Sequence, residues 1–200
     1  MHVLTVLSHP DPASLSHAVA ARFNAGAEAA GHTTELADLH AEGFDPRWSM
    51  PDLAQFDNQP MPADVLAEQA RIDRCDALCM VFPLFWWGMP AMLKGWLDRV
   101  WSWGWAYDQV DDPDRSLQRQ CTGVMLIPAG ASPQSMEPHG YMRALDAIWR
   151  TGTMGYLGLI DRRIHVLHGS TGSEPRRQGL LDQAEQAGRD LALPAARQAL

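Results

Sequence analysis

Three short apolar runs constrain the fold of this chain more than any other feature: VLTVL at 3–7, ALCMVF at 77–82 and GVMLI at 123–127. Mainly apolar runs of this length, each followed by Ser or Pro, are typical of parallel strands that are covered by helices on both faces. RIHVLH at 163–168 is a weaker candidate of the same kind, and TTELA at 33–37 is typical of an edge strand. The runs therefore predict the centre of a mainly parallel sheet.

Helical patterns alternate with these strands. Ser14 can cap a helix that runs to about Ala30, and Pro90 can open another that Gly104 would end. Ranges 141–156 and 175–193 supply two more. The helix after Pro90 carries an apolar stripe at the 3.6-residue period, formed by Leu93, Trp96, Leu97, Val100 and Trp101. Strand alternating with helix predicts an α/β domain, and the long proline-rich excursion at 43–62 is typical of a functional or interfacial loop.

The length and net charge of the chain argue against several classes of function. Two hundred residues suit one domain, which we place at 1–200. A net charge of −8 argues against nucleic acid or an anionic membrane as a partner, and no run is long enough to span a membrane. The N-terminus lacks the features of a signal peptide. Three cysteines without a CxxC pair indicate reduced core thiols in a cytoplasmic protein.

Three loops should meet at one edge of the sheet, because ligands of open parallel sheets bind beyond the carboxyl ends of the strands. They are SHPDPASLS at 8–16, PLFWWGMP at 83–90 and PAGASPQSMEPHG at 128–140. The first ends at a helix N-terminus, which favours an anion such as phosphate, with Ser14, Ser16 and His9 as further donors. Alternatively, Ser14 only caps the helix and His9 packs on the surface.

Six of the eight tryptophans fall within 83–108. Trp96 and Trp101 lie on the apolar stripe and are predicted to be core or interface residues. Trp86 and Trp87 lie off any stripe, at the end of a strand, and are predicted to border a site for a planar ligand. In the third loop Gly130 can present its N–H to a ligand, and His139 can relay a proton, although a lone loop histidine is more often structural. The sequence contains no GxSxG, HExxH or P-loop motif, and its histidines lack metal-ligand spacing.

The segment 83–108 resembles the pattern P-L-x-W-x-x-x-P-A-x-L-K-G-W-x-x-R-V-x-x-x-G-x-A-Y of the NAD(P)H:quinone oxidoreductases, the DT-diaphorase-like flavoenzymes. LSHPDPASLS, DLHAEGFDPRWSMPD and HGYM are similar to further segments of that family. The resemblance covers about residues 1–145. It implies a flavodoxin-like three-layer α/β/α fold with a five-stranded parallel sheet, and a homodimer that holds a flavin. It also implies ping-pong transfer of two electrons from NAD(P)H to a quinone.

The resemblance also implies roles for individual residues. The flavin phosphate would meet His9, Ser14, Leu15 and Ser16; its ring and ribityl chain would meet Pro83, Leu84, Phe85, Trp86 and Trp87; and its polar edge would meet Gly130. Trp86, Trp87 and Tyr107 of a second subunit would line a shared nicotinamide and quinone slot, with His139 as proton relay. One departure is that Pro128-Ala129-Gly130-Ala131 stands where the family has T-T-G-G, and Pro128 has no N–H to offer.

The long excursion at 43–62 resembles the quinone-reductase branch of the family, which favours FAD, with FMN as the alternative. Two further functions fit the same fold. One is a reductase of azo or nitro compounds, and the other is a regulatory subunit of a membrane transporter, since a fold does not fix a function.

Overall fold

The computed structural model describes residues 1–57, 59–107 and 121–192. Five strands form one parallel sheet in the order β2-β1-β3-β4-β5. The strands are β1 His2–Leu7, β2 Thr33–Asp38, β3 Ala77–Val81, β4 Thr122–Ala129 and β5 Asp161–His168. The predicted strands and the parallel sheet are confirmed. β3 and β4 are buried at every position, as expected of central strands.

Helices cover both faces of the sheet, and the strand residues alternate between them. Leu4 and Val6 face one apolar cluster, whereas Val3 and Leu7 face the other. The helices are α1 Leu15–Ala29, α2 Ala63–Arg74, α3 Ala91–Val100, α4 Pro133–Met136, α5 Tyr141–Asp146, α6 Met154–Tyr156 and α7 Glu174–Arg189. A π-helical segment, Ala147–Thr153, joins α5 to α6, so the predicted helix at 141–156 is present with a widened centre.

The helix α1 packs against α7 with unusually little space between the two backbones. A Cβ on Gly26 would lie 2.0 Å from the Glu185 carbonyl oxygen, and one on Gly188 would lie 2.1 Å from that of Phe23. Both positions therefore require glycine. As predicted, Ser14 caps α1 by accepting a hydrogen bond from the His17 backbone N–H.

Two helix assignments differ from the sequence reading. The sequence patterns did not reveal α2, because its buried face includes the polar residues Glu68 and Gln69 beside Val65 and Ile72. Glu68 accepts a hydrogen bond of 2.8 Å from the Trp96 indole. The prediction that Gly104 ends α3 is wrong, since the helix ends at Val100 and Gly104 lies in the following turn with φ 79°.

The buried tryptophans and thiols follow the sequence reading. Trp96 is fully buried and Trp101 is 7% exposed, which confirms the prediction that both lie in the core. The side chains of Cys75, Cys79 and Cys121 are buried. Within the described ranges, no helix is both long and apolar enough to cross a membrane.

The excursion at 43–62 is hydrogen-bonded to α3 through the buried side chain of Arg99. Arg99 donates to Asp52 at 2.8 Å, to the Asp45 carbonyl oxygen at 2.6 Å and to Asp64 at 2.6 Å. Burial raises the pKa of the Asp52 carboxyl, but hydrogen bonds from Ser49 and Arg99 outweigh it, so the net pKa is lowered. Asp52 is fully buried within a 3-10 helix, Met50–Asp57. The excursion is thus a packed element with its own charge network.

We expect Asp52→Asn to lower the free energy of unfolding by about 3–5 kcal/mol at neutral pH, because it breaks a buried ion pair. Since the folded-state pKa of Asp52 is lowered, its contribution is complete above the ordinary aspartate pKa of about 4. The contribution is lost as the pH falls through the folded value. Urea unfolding at several pH values should therefore show the wild-type advantage shrinking only in acid. Asp57→Asn, an exposed change in the same 3-10 helix, should stay within about 0.5 kcal/mol. An equal loss in both variants would contradict the assignment.

Candidate functional site

The three loops predicted to form a site do meet at the carboxyl edge of the sheet. Ser8 N–H donates to the Val81 carbonyl oxygen at 3.0 Å, and Leu84 N–H donates to that of Pro128 at 2.9 Å. These bonds tie the end of β1 to β3, and the end of β3 to β4. The loops after β1, β3 and β4 consequently face one region of solvent.

The first loop ends at the N-terminus of α1. His9 is partly buried, and its Nδ1 accepts from the Asp11 N–H at 3.1 Å. Ser16 is buried and Leu15 partly buried, and their N–H groups belong to the first helical turn, whose donors have no intrahelical acceptor. The capping role of Ser14 foreseen in the alternative reading is present. The cap uses the His17 N–H and leaves the N–H groups of Leu15 and Ser16 available to an anion.

The second loop is a strained hairpin turn. Phe85 and Gly88 exchange backbone hydrogen bonds of 3.2 and 2.9 Å, and the two residues between them have positive φ, 48° at Trp86 and 60° at Trp87. Two-residue turns of this kind normally carry Asn or Gly, and each bulky residue there costs about 1–3 kcal/mol. Trp86 is nevertheless 97% exposed. Strain combined with exposure of an indole indicates a binding role rather than a packing role.

An aromatic stack supports the other indole of this turn. The Trp87 ring lies 4.0 Å from the Tyr141 ring, with 23° between the ring planes. His139 is the last residue of a short 3-10 helix, Glu137–His139, and its ring lies 5.3 Å from that of Tyr141. His139 is exposed. The structure therefore connects His139 to Trp87 through Tyr141, a contact that the sequence reading did not identify.

The third loop begins inside β4 rather than after it. Pro128 and Ala129 pair with β5, and the Pro128 carbonyl oxygen accepts from Leu84. The missing N–H of Pro128 therefore does not break the strand. Gly130 is exposed, and a Cβ there would meet only the Thr171 side chain, at 3.6 Å or more. A Cβ at position 130 would thus make ordinary van der Waals contact with Thr171, and the glycine itself is exposed at the edge of the sheet.

A groove of about 1460 Å³ runs from the second loop along α3. It exceeds the ligand pockets of about 300–1,000 Å³ that are usual in proteins. Its walls include Trp48, Trp87, Trp101, Tyr107, Tyr156 and most of the π-helical segment. Of the two residues predicted to be catalytic, Tyr107 lines the described part of the groove and His139 does not. Burial and the neighbouring Tyr156 raise the pKa of Tyr107, whose ring lies 5.7 Å from that of Tyr156.

The structure groups the predicted site residues into two neighbouring sets. His9, Ser14, Leu15, Ser16 and Gly130 belong to the first and third loops at the sheet edge. Pro83 and Leu84 are partly buried beneath the Phe85–Gly88 turn, which leads into the groove, and Phe85 is half exposed. Trp87 and Tyr107 of the same chain line one groove. The prediction that a second subunit supplies Tyr107 to this site is not tested by a single chain and stays a prediction. The sequence analysis did not predict that Trp48 and Tyr156 line the groove. Their aromatic side chains were the one feature of the sequence that could have indicated it.

Comparisons with known proteins agree with this geometry. A family described as having a flavodoxin-like fold matches residues 1–191. The chain is 29% identical over 160 residues to an uncharacterized NAD(P)H oxidoreductase of Haemophilus influenzae, covering 80% of this chain and 79% of that protein. It is 30% identical over 178 residues to NAD(P)H dehydrogenase [quinone] 1 of Cavia porcellus, covering 78% of this chain but only 64% of the relative. The solved structure of an NAD(P)H:quinone oxidoreductase from Methanothermobacter marburgensis superposes with a TM-score of 0.86 at 32% identity, covering 96% of this chain and 99% of that one.

We expect Trp86→Gly to raise the free energy of unfolding of the ligand-free protein by about 1 kcal/mol, because relief of positive-φ strain exceeds the entropic cost of glycine. The exposed indole loses little burial in this change. Trp87→Gly is the matched control. It relieves the same strain but loses the stack on Tyr141, so it should be the less stable variant of the two. Denaturant unfolding measures both, and destabilisation by Trp86→Gly would show that the turn is not strained.

Proposed function

The chain belongs to a family with a flavodoxin-like fold, and we propose that it is a flavin-dependent NAD(P)H:quinone oxidoreductase. Its relatives include NAD(P)H:quinone oxidoreductases. The observation that carries this proposal is the strained Trp86–Trp87 turn, held exposed at the carboxyl edge of the sheet beside a groove of about 1460 Å³. Conformational strain at an exposed aromatic turn is typical of ligand sites. Bound flavin would accept a hydride from NAD(P)H and pass it to the second substrate.

The residues at the sheet edge fit a flavin. The first turn of α1 offers N–H groups to a phosphate, which we assign to His9, Ser14, Leu15 and Ser16. Gly130 is exposed and carries no side chain, so the polar edge of a flat ring can approach its backbone. We assign the ring and ribityl contacts to Pro83, Leu84, Phe85, Trp86 and Trp87. Pro128 contributes no N–H, so on this edge the N–H of Gly130 is the donor that we assign to the ring.

The groove would receive nicotinamide and quinone in turn. Trp87 and Tyr107 both line it and can stack on a planar substrate. With its pKa raised, the Tyr107 hydroxyl keeps its proton and can donate a hydrogen bond to a quinone oxygen. His139, in contact with Tyr141 behind Trp87, would relay the proton that accompanies hydride transfer.

We further propose that the flavin is FAD and that two copies of the chain pair through the face that bears the groove. The long excursion supports FAD, as in the quinone-reductase branch that it resembles. Exposed apolar side chains around the groove support the dimer: Trp48, Phe85, Trp86, Ile148 and Tyr156 are each at least 42% exposed. The buried cysteine side chains fit a reducing compartment such as the cytoplasm.

The proposal predicts a yellow protein that bleaches when NAD(P)H is added and regains its colour with a quinone. Heat release followed by chromatography should identify FAD, and light scattering should give twice the chain mass. A colourless protein that binds neither FAD nor FMN on reconstitution would overturn the proposal. Failure of quinones to restore the colour, with restoration by azo or nitro compounds, would replace the acceptor. Binding of flavin without any turnover would favour the regulatory-subunit alternative.

We expect His139→Gln to slow quinone reduction by about 10²-fold, the lower end of general acid–base contributions, while flavin content stays unchanged. His32→Gln is the control, because its ring bonds the Leu191 carbonyl oxygen, away from the three site loops. Equal rates for wild type and His139→Gln at every pH would remove His139 from the mechanism.

A further inference from the structure

A chain of side-chain hydrogen bonds runs from Ser14 to the end of β2. The Ser14 hydroxyl lies 2.8 Å from Nδ1 of His17, and Nε2 of His17 lies 2.9 Å from an Asp38 carboxylate oxygen. The His17 and Asp38 side chains are only 17% and 16% exposed. Ser14 is the residue that caps α1 and that the proposed function assigns to the flavin phosphate, so His17 and Asp38 lie directly behind a proposed ligand contact.

Asp38 fixes one proton of the His17 ring. Burial raises the pKa of the Asp38 carboxyl, but hydrogen bonds from His17 and from the N–H groups of Ala41 and His40 outweigh it, and the net pKa is lowered. The carboxylate is therefore ionised and can only accept. It follows that Nε2 of His17 carries a proton, and that the state of Nδ1 decides what Ser14 can do.

The two possible states of Nδ1 have opposite consequences for Ser14. The Ser14 oxygen already accepts from the His17 backbone N–H at 3.3 Å. If Nδ1 is unprotonated, it accepts a hydrogen bond from the Ser14 hydroxyl, and Ser14 then has no O–H left to donate to a phosphate. If Nδ1 is protonated, it donates to the Ser14 oxygen, and the hydroxyl proton is free to point at an anion.

We infer that His17 is a positioning residue that takes up a proton from solvent when the phosphate of a flavin nucleotide binds. That proton turns the Ser14 hydroxyl from a donor to His17 into a donor to the phosphate. The inference rests on the proposed function, since it names a residue that acts on the same site. Asp38 stabilises the resulting imidazolium as an ion pair. Other titratable groups near His17 are His9, whose ring is 6.4 Å away, with Asp11 in the same loop, and His40 beyond β2.

A double-mutant cycle tests whether His17 acts through Ser14. The full chain is stripped of flavin, and the dissociation constant for FAD is measured by fluorescence for wild type, Ser14→Ala, His17→Gln and the double variant. At pH 6 we expect His17→Gln to weaken FAD binding on the order of tenfold in the wild-type background, as for loss of a hydrogen bond to a charged group. In the Ser14→Ala background it should weaken binding less than about twofold. Far-UV circular dichroism confirms that the variants, including the one lacking the helix cap, are folded.

The proton gives a second readout that a merely structural role would not change. FAD affinity of the wild type should fall as the pH rises, because binding of the phosphate is coupled to uptake of a proton. His17→Gln and Asp38→Asn should both flatten this dependence. Riboflavin has no phosphate, so its affinity should be independent of pH over the same range and insensitive to His17→Gln. His9→Gln should weaken FAD binding, because His9 is itself a proposed phosphate contact. In that background His17→Gln should still reduce the pH slope, which separates the two histidines.

The chain offers a matched control in the His2–Glu35 pair. It joins β1 to β2 with 3.2 Å between His2 Nε2 and a Glu35 carboxylate oxygen, and it lies toward the opposite end of the sheet from His17 and Asp38. His2→Gln should leave FAD affinity and its pH slope unchanged. The inference is overturned if the slope persists in His17→Gln, if riboflavin shows the same slope, or if His17→Gln weakens binding equally in both backgrounds. A wild type that binds neither FAD nor riboflavin would overturn the proposed function itself, and this inference with it.

Discussion

Parallel pairing of the three central strands is the constraint on which the site depends. The backbone bonds from Ser8 to Val81 and from Leu84 to Pro128 continue that pairing past the strand ends. Because β1, β3 and β4 point the same way, the helix N-terminus, the tryptophan turn and Gly130 all arrive at one edge. Segments more than a hundred residues apart in sequence thus form one surface, and no single loop contains the site.

At this edge the backbone strain at Trp86 and Trp87 lowers the stability of the fold, while the Trp86 indole is left exposed. Trp86 and Trp87 hold a backbone conformation that glycine or asparagine would adopt with less strain. Stacking of Trp87 on Tyr141 and the paired hydrogen bonds of the turn offset part of that cost. The neighbouring π-helical segment has a similar character, since it departs from α-helical geometry where it lines the groove. Local irregularity is concentrated where the proposed substrates would lie.

Buried polar groups, by contrast, hold the outer layer in place. Arg99 links α3 to both the excursion and α2, and Glu68 accepts from the Trp96 indole inside the same layer. Such groups are retained only where every charge has partners. The network places Trp48, which belongs to the excursion, at the groove beside α3. A structural network therefore completes one wall of the groove.

The sequence by itself determined the five strands, most of the helices and the three loops at the edge of the sheet, because burial with a period of 2 or 3.6 is a local pattern. It also separated the buried Trp96 from the exposed Trp86. Only the tertiary structure decided what depends on the path of the chain. The sequence pattern did not predict α2, because its polar residues Glu68 and Gln69 are buried against partners that are distant in sequence. The Trp87–Tyr141 stack and the Ser14–His17–Asp38 chain could not be read from the sequence for the same reason: hydrogen bonds and ring contacts are set by distances in space, which no local periodicity encodes.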